Sequence, residues 1–236
     1  TYPVVVLIMA LLAMAAMIIF IVPVFKKMFA DLGGELPLPT QILVTMSENA
    51  WWGAPLLIAA GVGFAFWWRR NKNTEKVRAF VDPLRLKLPV FGPLFQKVAI
   101  ARVMRNLATM SRSGVPILQA LAIVASTSNN YVIEKALQEV QDSVRSGRSI
   151  AAPLGEHPVF PSMVVQMIAV GEDSGALEQM LTKIADFYDD EVQTTTEALT
   201  SLIEPLMIAI IGVLIGGIIV SLYLPMFSIY GQISQQ

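Results

Sequence analysis

Three stretches of this chain cannot be left in water. Between Val4 and Phe25 there is no charged residue, and about 20 apolar residues are what a helix needs to cross roughly 30 Å of hydrocarbon. A second run is framed by Trp51-Trp52 and Trp67-Trp68. Tryptophan rings favour the two headgroup regions, and about 26 Å of helix separates Trp51 from Trp68, enough to span with little tilt. The third run extends from Leu202 to Leu224, with one acid, Glu204, near its start and Tyr223 near its end. Only 15% of the residues are charged and the mean hydropathy is +0.60, whereas a typical soluble domain is roughly 25% charged. The class is therefore an all-α, polytopic membrane protein with three transmembrane helices.

Orientation follows from bases close to span ends. Arg69, Arg70, Lys72, Lys76, Arg78, Arg85 and Lys87 follow span two, against Lys26 and Lys27 between spans one and two, so the segment after Arg69 is expected in the cytoplasm. The expected order is a transmembrane helix over 1–25, a periplasmic loop over 26–50, a transmembrane helix over 51–68, a cytoplasmic helical bundle over 69–200, a transmembrane helix over 201–225 and a periplasmic tail over 226–236. Thr1-Tyr2-Pro3 enters the first span with no initiator Met, basic region or cleavage site before it, which reads as the start of a fragment.

Residues 69–200 carry helical periods and no strand alternation. Leu177, Met180, Leu181, Ile184, Phe187 and Tyr188 share one helix face, which predicts its burial. Val98, Ala101, Met104, Leu107 and Ala108 form a second stripe before the breaker Ser113-Gly114-Val115-Pro116, after which Ile117 to Ala125 reads as another helix. Further helices are expected at 131–146 and 161–172, the latter ending at Asp173-Ser174-Gly175. An antiparallel bundle of about six helices is the economical arrangement. The last helix meets no breaker through Asp189-Asp190-Glu191 and is expected to run into span three.

Charge within 69–200 is segregated: eleven bases against two acids from Arg69 to Arg112, then twelve acids against four bases from Glu134 to Glu197. The basic half lies beside span two and suits anionic lipid. The acidic half reads as facing elsewhere, either as a solvated surface or as a docking surface for a basic partner. A net charge of −1 gives no general attraction to nucleic acid, and the absence of cysteine excludes thiol chemistry.

No catalytic constellation emerges. His157 is the only histidine and has no second ligand at metal spacing. Asp186, Asp189, Asp190 and Glu191 offer oxygens one turn apart, but a solvated acidic face is the simpler reading, and no metal or cofactor is expected. A phosphate-binding glycine loop is absent, so any energy must come from a partner. Gly212 and Gly216 make a GxxxG pair that suits close helix packing, either with a span of the same chain or with a second copy. Glu204 precedes Pro205 at the membrane surface, and an acid there is a functional candidate by default.

Together these residues resemble the PilC/GspF family, the polytopic inner-membrane platform proteins of type IV pilus and type II secretion machines. The resemblance runs from about Phe95 through Ser113-Gly114-Val115-Pro116, Gly147-Arg148-Ser149, Phe160-Pro161 and Met167 to Gly175. It continues through Leu177 to Ala185 and Glu204-Pro205 into span three; Leu36-Pro37-Leu38-Pro39-Thr40 is similar to the family's external loop. The Gly171-Glu172-Asp173-Ser174-Gly175 run and the Ser-Gly-Val-Pro turn are its strongest parts.

What the resemblance implies is a non-enzymatic hub of the bacterial inner membrane. Such a hub is a homo-oligomer that contacts a cytoplasmic hexameric assembly or retraction ATPase, pilin or pseudopilin subunits and other inner-membrane assembly proteins. It further implies a second cytoplasmic domain preceding span one. By the family's logic Gly114, Pro116, Gly171, Glu172 and Gly175 are candidate docking or structural residues. Glu204, Pro205, Gly212 and Gly216 are candidates for span packing or pilin contact. The plainer alternative is that Gly175 only permits a positive φ and Glu172 only caps a helix. The rival class, a transporter or channel subunit with a cytoplasmic regulatory domain, requires polar residues along the spans, and spans one and two are almost purely apolar. A membrane-bound sensor or enzyme would need its catalytic groups from elsewhere.

Overall fold

A computed structural model describes residues 2–31 and 37–233, and every secondary-structure element among them is helical. Two compact units divide the chain. One comprises the chain up to Trp68 and from Leu199 onward, the other Arg69–Ala198.

The first unit holds α1 (Tyr2–Ala16), a π-helical turn (Met17–Ile21), α2 (Val22–Asp31), most of α3 (Leu38–Asn71) and the later part of α10 (Leu177–Ile233). Three helical stretches among the described residues are long and apolar enough to cross a membrane: Tyr2–Met28, Leu38–Asn71 and Leu177–Leu224. The π turn has a local cause. Pro23 lacks an N–H and its ring clashes with the carbonyl four residues back, and a wider turn immediately upstream relieves that conflict without ending the helix. Val22 N–H accordingly bonds to the Met17 carbonyl, five residues back.

The loop expected over 26–50 is mostly helix: α2 runs to Asp31 and α3 begins at Leu38. Pro39 sits in the first turn of α3, where its missing N–H would have had no partner anyway. Gly33, Gly34 and Leu36 of the expected loop lie outside the described residues. The three stretches meet where Val22, Val44, Ile218 and Leu222 are buried, with Met14, Met17, Phe25 and Leu43 packed around them. At this junction the buried Thr40 hydroxyl donates to the Ser221 carbonyl. Lys26, one of the two bases that oppose the orientation rule, pairs with Glu48. Elsewhere the apolar side chains face outward, as lipid-facing residues do; Trp51 is 90% exposed.

The second unit is built from α4 (Glu75–Lys87), α5 (Phe91–Arg112), α6 (Ile117–Thr127), α7 (Tyr131–Arg145), α8 (Ala151–Gly155), α9 (Ser162–Ser174) and the start of α10. Its core includes Ile100, Met104, Leu121, Leu137, Ile168, Leu181 and Ile184, all nearly solvent-free. Helix α7 shows how the sequence dictates this. Ile133, Ala136, Leu137 and Val140 recur at helical spacing and are buried. The Asn130 side chain caps the helix by accepting from Val132 and Ile133 N–H at 3.0 and 3.3 Å. The remaining first-turn donor, Tyr131 N–H, bonds to the buried Asp82 carboxylate of α4 at 2.8 Å.

Two elements, α4 and the short α8, are not among the helices the sequence predicts, and both are explained by residues that obscure a helical period. Pro83 lies inside α4, and α8 has five residues. On α10, Leu181, Ile184 and Tyr188 are buried as expected, but Phe187 is 45% exposed. It lies at the edge of the stripe and packs edge-on against Tyr188, ring centroids 5.4 Å apart.

Candidate docking and helix-packing sites

The Ser113-Gly114-Val115-Pro116 turn ends α5 with a Schellman motif. Val115 N–H bonds to the Met110 carbonyl and Gly114 N–H to the Ser111 carbonyl, each at 3.0 Å. Gly114 adopts φ +73°, a conformation glycine enters without a Cβ clash. Pro116 precedes the first residue of α6, where its fixed φ of −54° and missing N–H cost nothing. Both residues therefore shape the α5–α6 corner.

The Gly171–Gly175 run closes α9 against α10. A Cβ on Gly171 would lie 3.0 Å from the Leu177 Cα and 3.0 Å from the Met180 Cγ, so glycine permits the close approach of the two helices. Gly175 caps α9 at φ +67°. Glu172 reaches from the last turn of α9 to the start of α8, where its two carboxylate oxygens accept from Ile150 N–H at 2.6 Å and Ala151 N–H at 2.9 Å. An anionic acceptor at a helix N-terminus satisfies orphan donors and complements the helix dipole.

In span three, Glu204 and Pro205 are exposed. A Cβ on Gly212 or Gly216 would meet nothing within 4 Å. Among the described residues, no other span of this chain packs against that glycine pair.

The segregated charges meet in space, and this corrects the reading that the acidic half faces elsewhere. Helix α5 is laced to α10 by Arg112 to Glu178 at 2.9 Å, Arg105 to Asp186 and Asp189 at 2.6 Å each, and Lys97 to Glu191 at 2.7 Å. Lys97 also donates to the Thr195 hydroxyl at 3.0 Å. The hydrogen bonds that the Arg105 guanidinium donates to Asp189 and Asp186 hold it further into its charged range. Three of the four clustered acids are thus occupied by bases of the same chain, which removes most of a docking surface for a basic partner. The fourth, Asp190, is exposed.

His157 lies 3.5 Å from Glu139, and among the described residues no three His, Asp or Glu side chains converge as metal ligands do. The cavity between Met104, Leu121, Leu137, Leu154, Ile168 and Leu181 has room for about 10 Å³ and is lined only by apolar side chains, so it offers a small molecule neither space nor anchor. The pairings of Asp82, Arg105 and Glu172 escape sequence reasoning. The only local signal for the first is the spacing of Arg78, Asp82 and Arg85, which places both bases within 3.9 Å of the acid.

Against known proteins, the family described as Type II secretion system (T2SS), protein F, matches residues 103–225. Type IV pilus assembly protein PilC of Myxococcus xanthus is 46% identical over 99% of this chain and 56% of its own length. The PilC protein of Thermus thermophilus is 42% identical over 100% of this chain and 58% of its own. Type II secretion system protein F of Pseudomonas aeruginosa is 32% identical over 97% of this chain and 56% of its own. The chain thus spans somewhat more than half the length of the curated relatives it matches. The matched segment takes in the α5–α6 corner, the Gly171–Gly175 turn and the third apolar stretch, and the chain belongs to the PilC/GspF family of type II secretion system protein F.

Proposed function

We propose that this chain is the membrane-embedded part of an inner-membrane platform for type IV pilus assembly or for the pseudopilus of type II secretion. In this role the second unit is cytoplasmic and docks on a hexameric assembly or retraction ATPase, with copies of the chain and other inner-membrane assembly proteins around it. Pilin or pseudopilin subunits enter or leave the membrane beside span three. The platform hydrolyses nothing itself. The observation that carries this reading is the identity to PilC proteins along nearly the whole chain, at 46% and 42%, which exceeds the 32% to a protein F and favours the pilus over the secretion machine.

Helix α10 is the proposed coupling element, because Leu177–Ile233 has no break between the core residues of the second unit and the third apolar stretch. Inserting Gly-Pro-Gly after Thr194 interrupts that path. The expected outcome is loss of fibre assembly in a strain lacking the native gene, with ATPase pull-down unchanged. Wild-type numbers of fibres from that variant refute the coupling. The Gly171–Gly175 turn is the proposed docking feature. In span three, Glu204, Pro205, Gly212 and Gly216 are the residues proposed to meet pilin or a second copy. Wild-type ATPase capture by a folded Glu172→Ala protein removes Glu172 from the docking role.

A further inference from the structure

Helix α4 is amphipathic the wrong way round. Its charged residues Arg78 and Asp82 face the rest of the second unit: Arg78 pairs with Glu134 at 2.8 Å, and Asp82 caps α7 through Tyr131 N–H. Leu86 packs against the core from the same side. With these residues turned in, the opposite face is forced outward. Phe80 is 75% exposed and Leu84 54% exposed, and Leu88, Val90, Phe91 and Phe95 extend the exposed apolar surface through the α4–α5 turn. At about 100° per residue, Lys76 and Lys87 fall within roughly 40° of Phe80. The ion pairs of α4 use Arg78 and Arg85 and leave both lysines exposed.

The chain tethers the start of α4 to the end of α3. Helix α3 finishes at Asn71 and α4 starts at Glu75, and four Cα steps reach at most about 14 Å. The end of α3 carries the Phe64, Trp67 and Trp68 ring cluster, with centroids 6.0 to 6.5 Å apart, followed by the exposed Arg69, Arg70 and Lys72. Tryptophan belts mark the headgroup level. An aromatic face rimmed by lysines, tethered at that level, has the chemistry of an interfacial helix, whose rings enter the acyl boundary while its bases meet lipid phosphates.

We propose that α4 and the α4–α5 turn form a membrane-surface anchor, with Phe80, Leu84 and Phe91 inserted at the headgroup boundary of an anionic bilayer and Lys72, Lys76 and Lys87 contacting its phosphates. The anchor requires only that α3 crosses the membrane, so it stands or falls separately from the pilus reading.

The chain contains no cysteine, so single-cysteine variants Phe80→Cys, Leu84→Cys and Phe91→Cys take a nitroxide label at one defined place. Ala152→Cys, on the exposed face of α8, is the control. The labelled full-length chains are placed in vesicles of phosphatidylcholine with phosphatidylglycerol, and collisions with oxygen and with a water-soluble nickel chelate are measured by electron paramagnetic resonance. The expected result is high oxygen and low nickel accessibility at the three test positions and the reverse at 152. Each lysine neutralised in Lys76→Gln and Lys87→Gln lowers the ratio of inserted to released segment about fivefold. Nickel accessibility at the test positions equal to that at 152 overturns the anchor. Spin–spin broadening that disappears when labelled chain is diluted with unlabelled chain overturns it in favour of contact between copies. Shielding from both reagents without broadening overturns it in favour of burial against protein.

Discussion

Replacing Glu172 by alanine should loosen α8 from the unit that carries it. The side chain gives two charge-assisted bonds, to Ile150 N–H at 2.6 Å and Ala151 N–H at 2.9 Å. Residues 150 and 151 are 8% and 6% exposed, so water replaces the lost acceptor poorly. A hydrogen bond to a charged group contributes about 1.5–3 kcal/mol, and whole N-caps are worth about 0.5–2 kcal/mol. The two bonds share one carboxylate, so the combined cost is about 2–4 kcal/mol. Helix propensity works in the other direction by only a few tenths of a kcal/mol. Glu172→Gln keeps one acceptor oxygen and should cost about half as much. The assay is hydrogen exchange followed by mass spectrometry on the detergent-solubilised chain, reading the peptide over residues 148–155. At about 1.4 kcal/mol per factor of ten, even 2 kcal/mol accelerates exchange there roughly 30-fold, with the glutamine variant between alanine and wild type. Unchanged exchange in the alanine variant, with full helix content, refutes the cap.

Gly92→Ala should be among the most damaging small substitutions in the second unit, because a Cβ there would overlap the Leu86 carbonyl oxygen, a backbone atom that cannot rotate away. A cost of about 3 kcal/mol is expected, read as a lower denaturant midpoint, and a wild-type midpoint contradicts the packing. Ile184→Ala removes a side chain with no solvent exposure and should cost about 2–5 kcal/mol in the same titration. Lys97→Met removes the polar ties to Glu191 and Thr195; little global stability is lost, about 1 kcal/mol or less, but exchange over residues 190–198 should rise selectively, and a uniform rise across the unit argues against a local tie.

The apolar spans are legible because an uninterrupted hydrocarbon-length run has one physical outcome, and α5, α6, α7 and α9 are legible because their stripes and breakers agree. The first turns of α3 are not, since Pro37 and Pro39 mimic a loop while proline is equally at home where a helix starts. Helix α4 is hidden for a deeper reason. Periodicity identifies an amphipathic helix but not which face turns inward, and here a buried acid, Asp82, is stabilised by the α7 N-terminus 49 positions away. The candidate site shows the same limit. The acids of α10 and the bases of α5 form two blocks along the sequence, yet Arg105 and Asp189, 84 positions apart, are bonded. A charge census along the chain records sign and order, and a helix pairing folds one block onto the other.

The two kinds of contact between α10 and the rest of the second unit do different work. Leu181, Ile184 and Tyr188 are buried, and each such side chain contributes on the order of 1.5–3 kcal/mol. The ion pairs are partly exposed, with Arg105 at 42% and its aspartates at 60% and 55%, and exposed pairs contribute about 0–1 kcal/mol. Adhesion therefore comes from the apolar stripe. Apolar side chains are tolerant of sliding, however, whereas a shift of one turn would separate Arg112 from Glu178 and Lys97 from Glu191 together. The ladder is best understood as fixing the register of α10 on α5. No residue from Asp189 to Ala198 is buried, so beyond Tyr188 the register rests on two ladder bases, Arg105 through Asp189 and Lys97 through Glu191 and Thr195. If α10 carries motion toward the third apolar stretch, the segment after Tyr188 is where the core ceases to hold it.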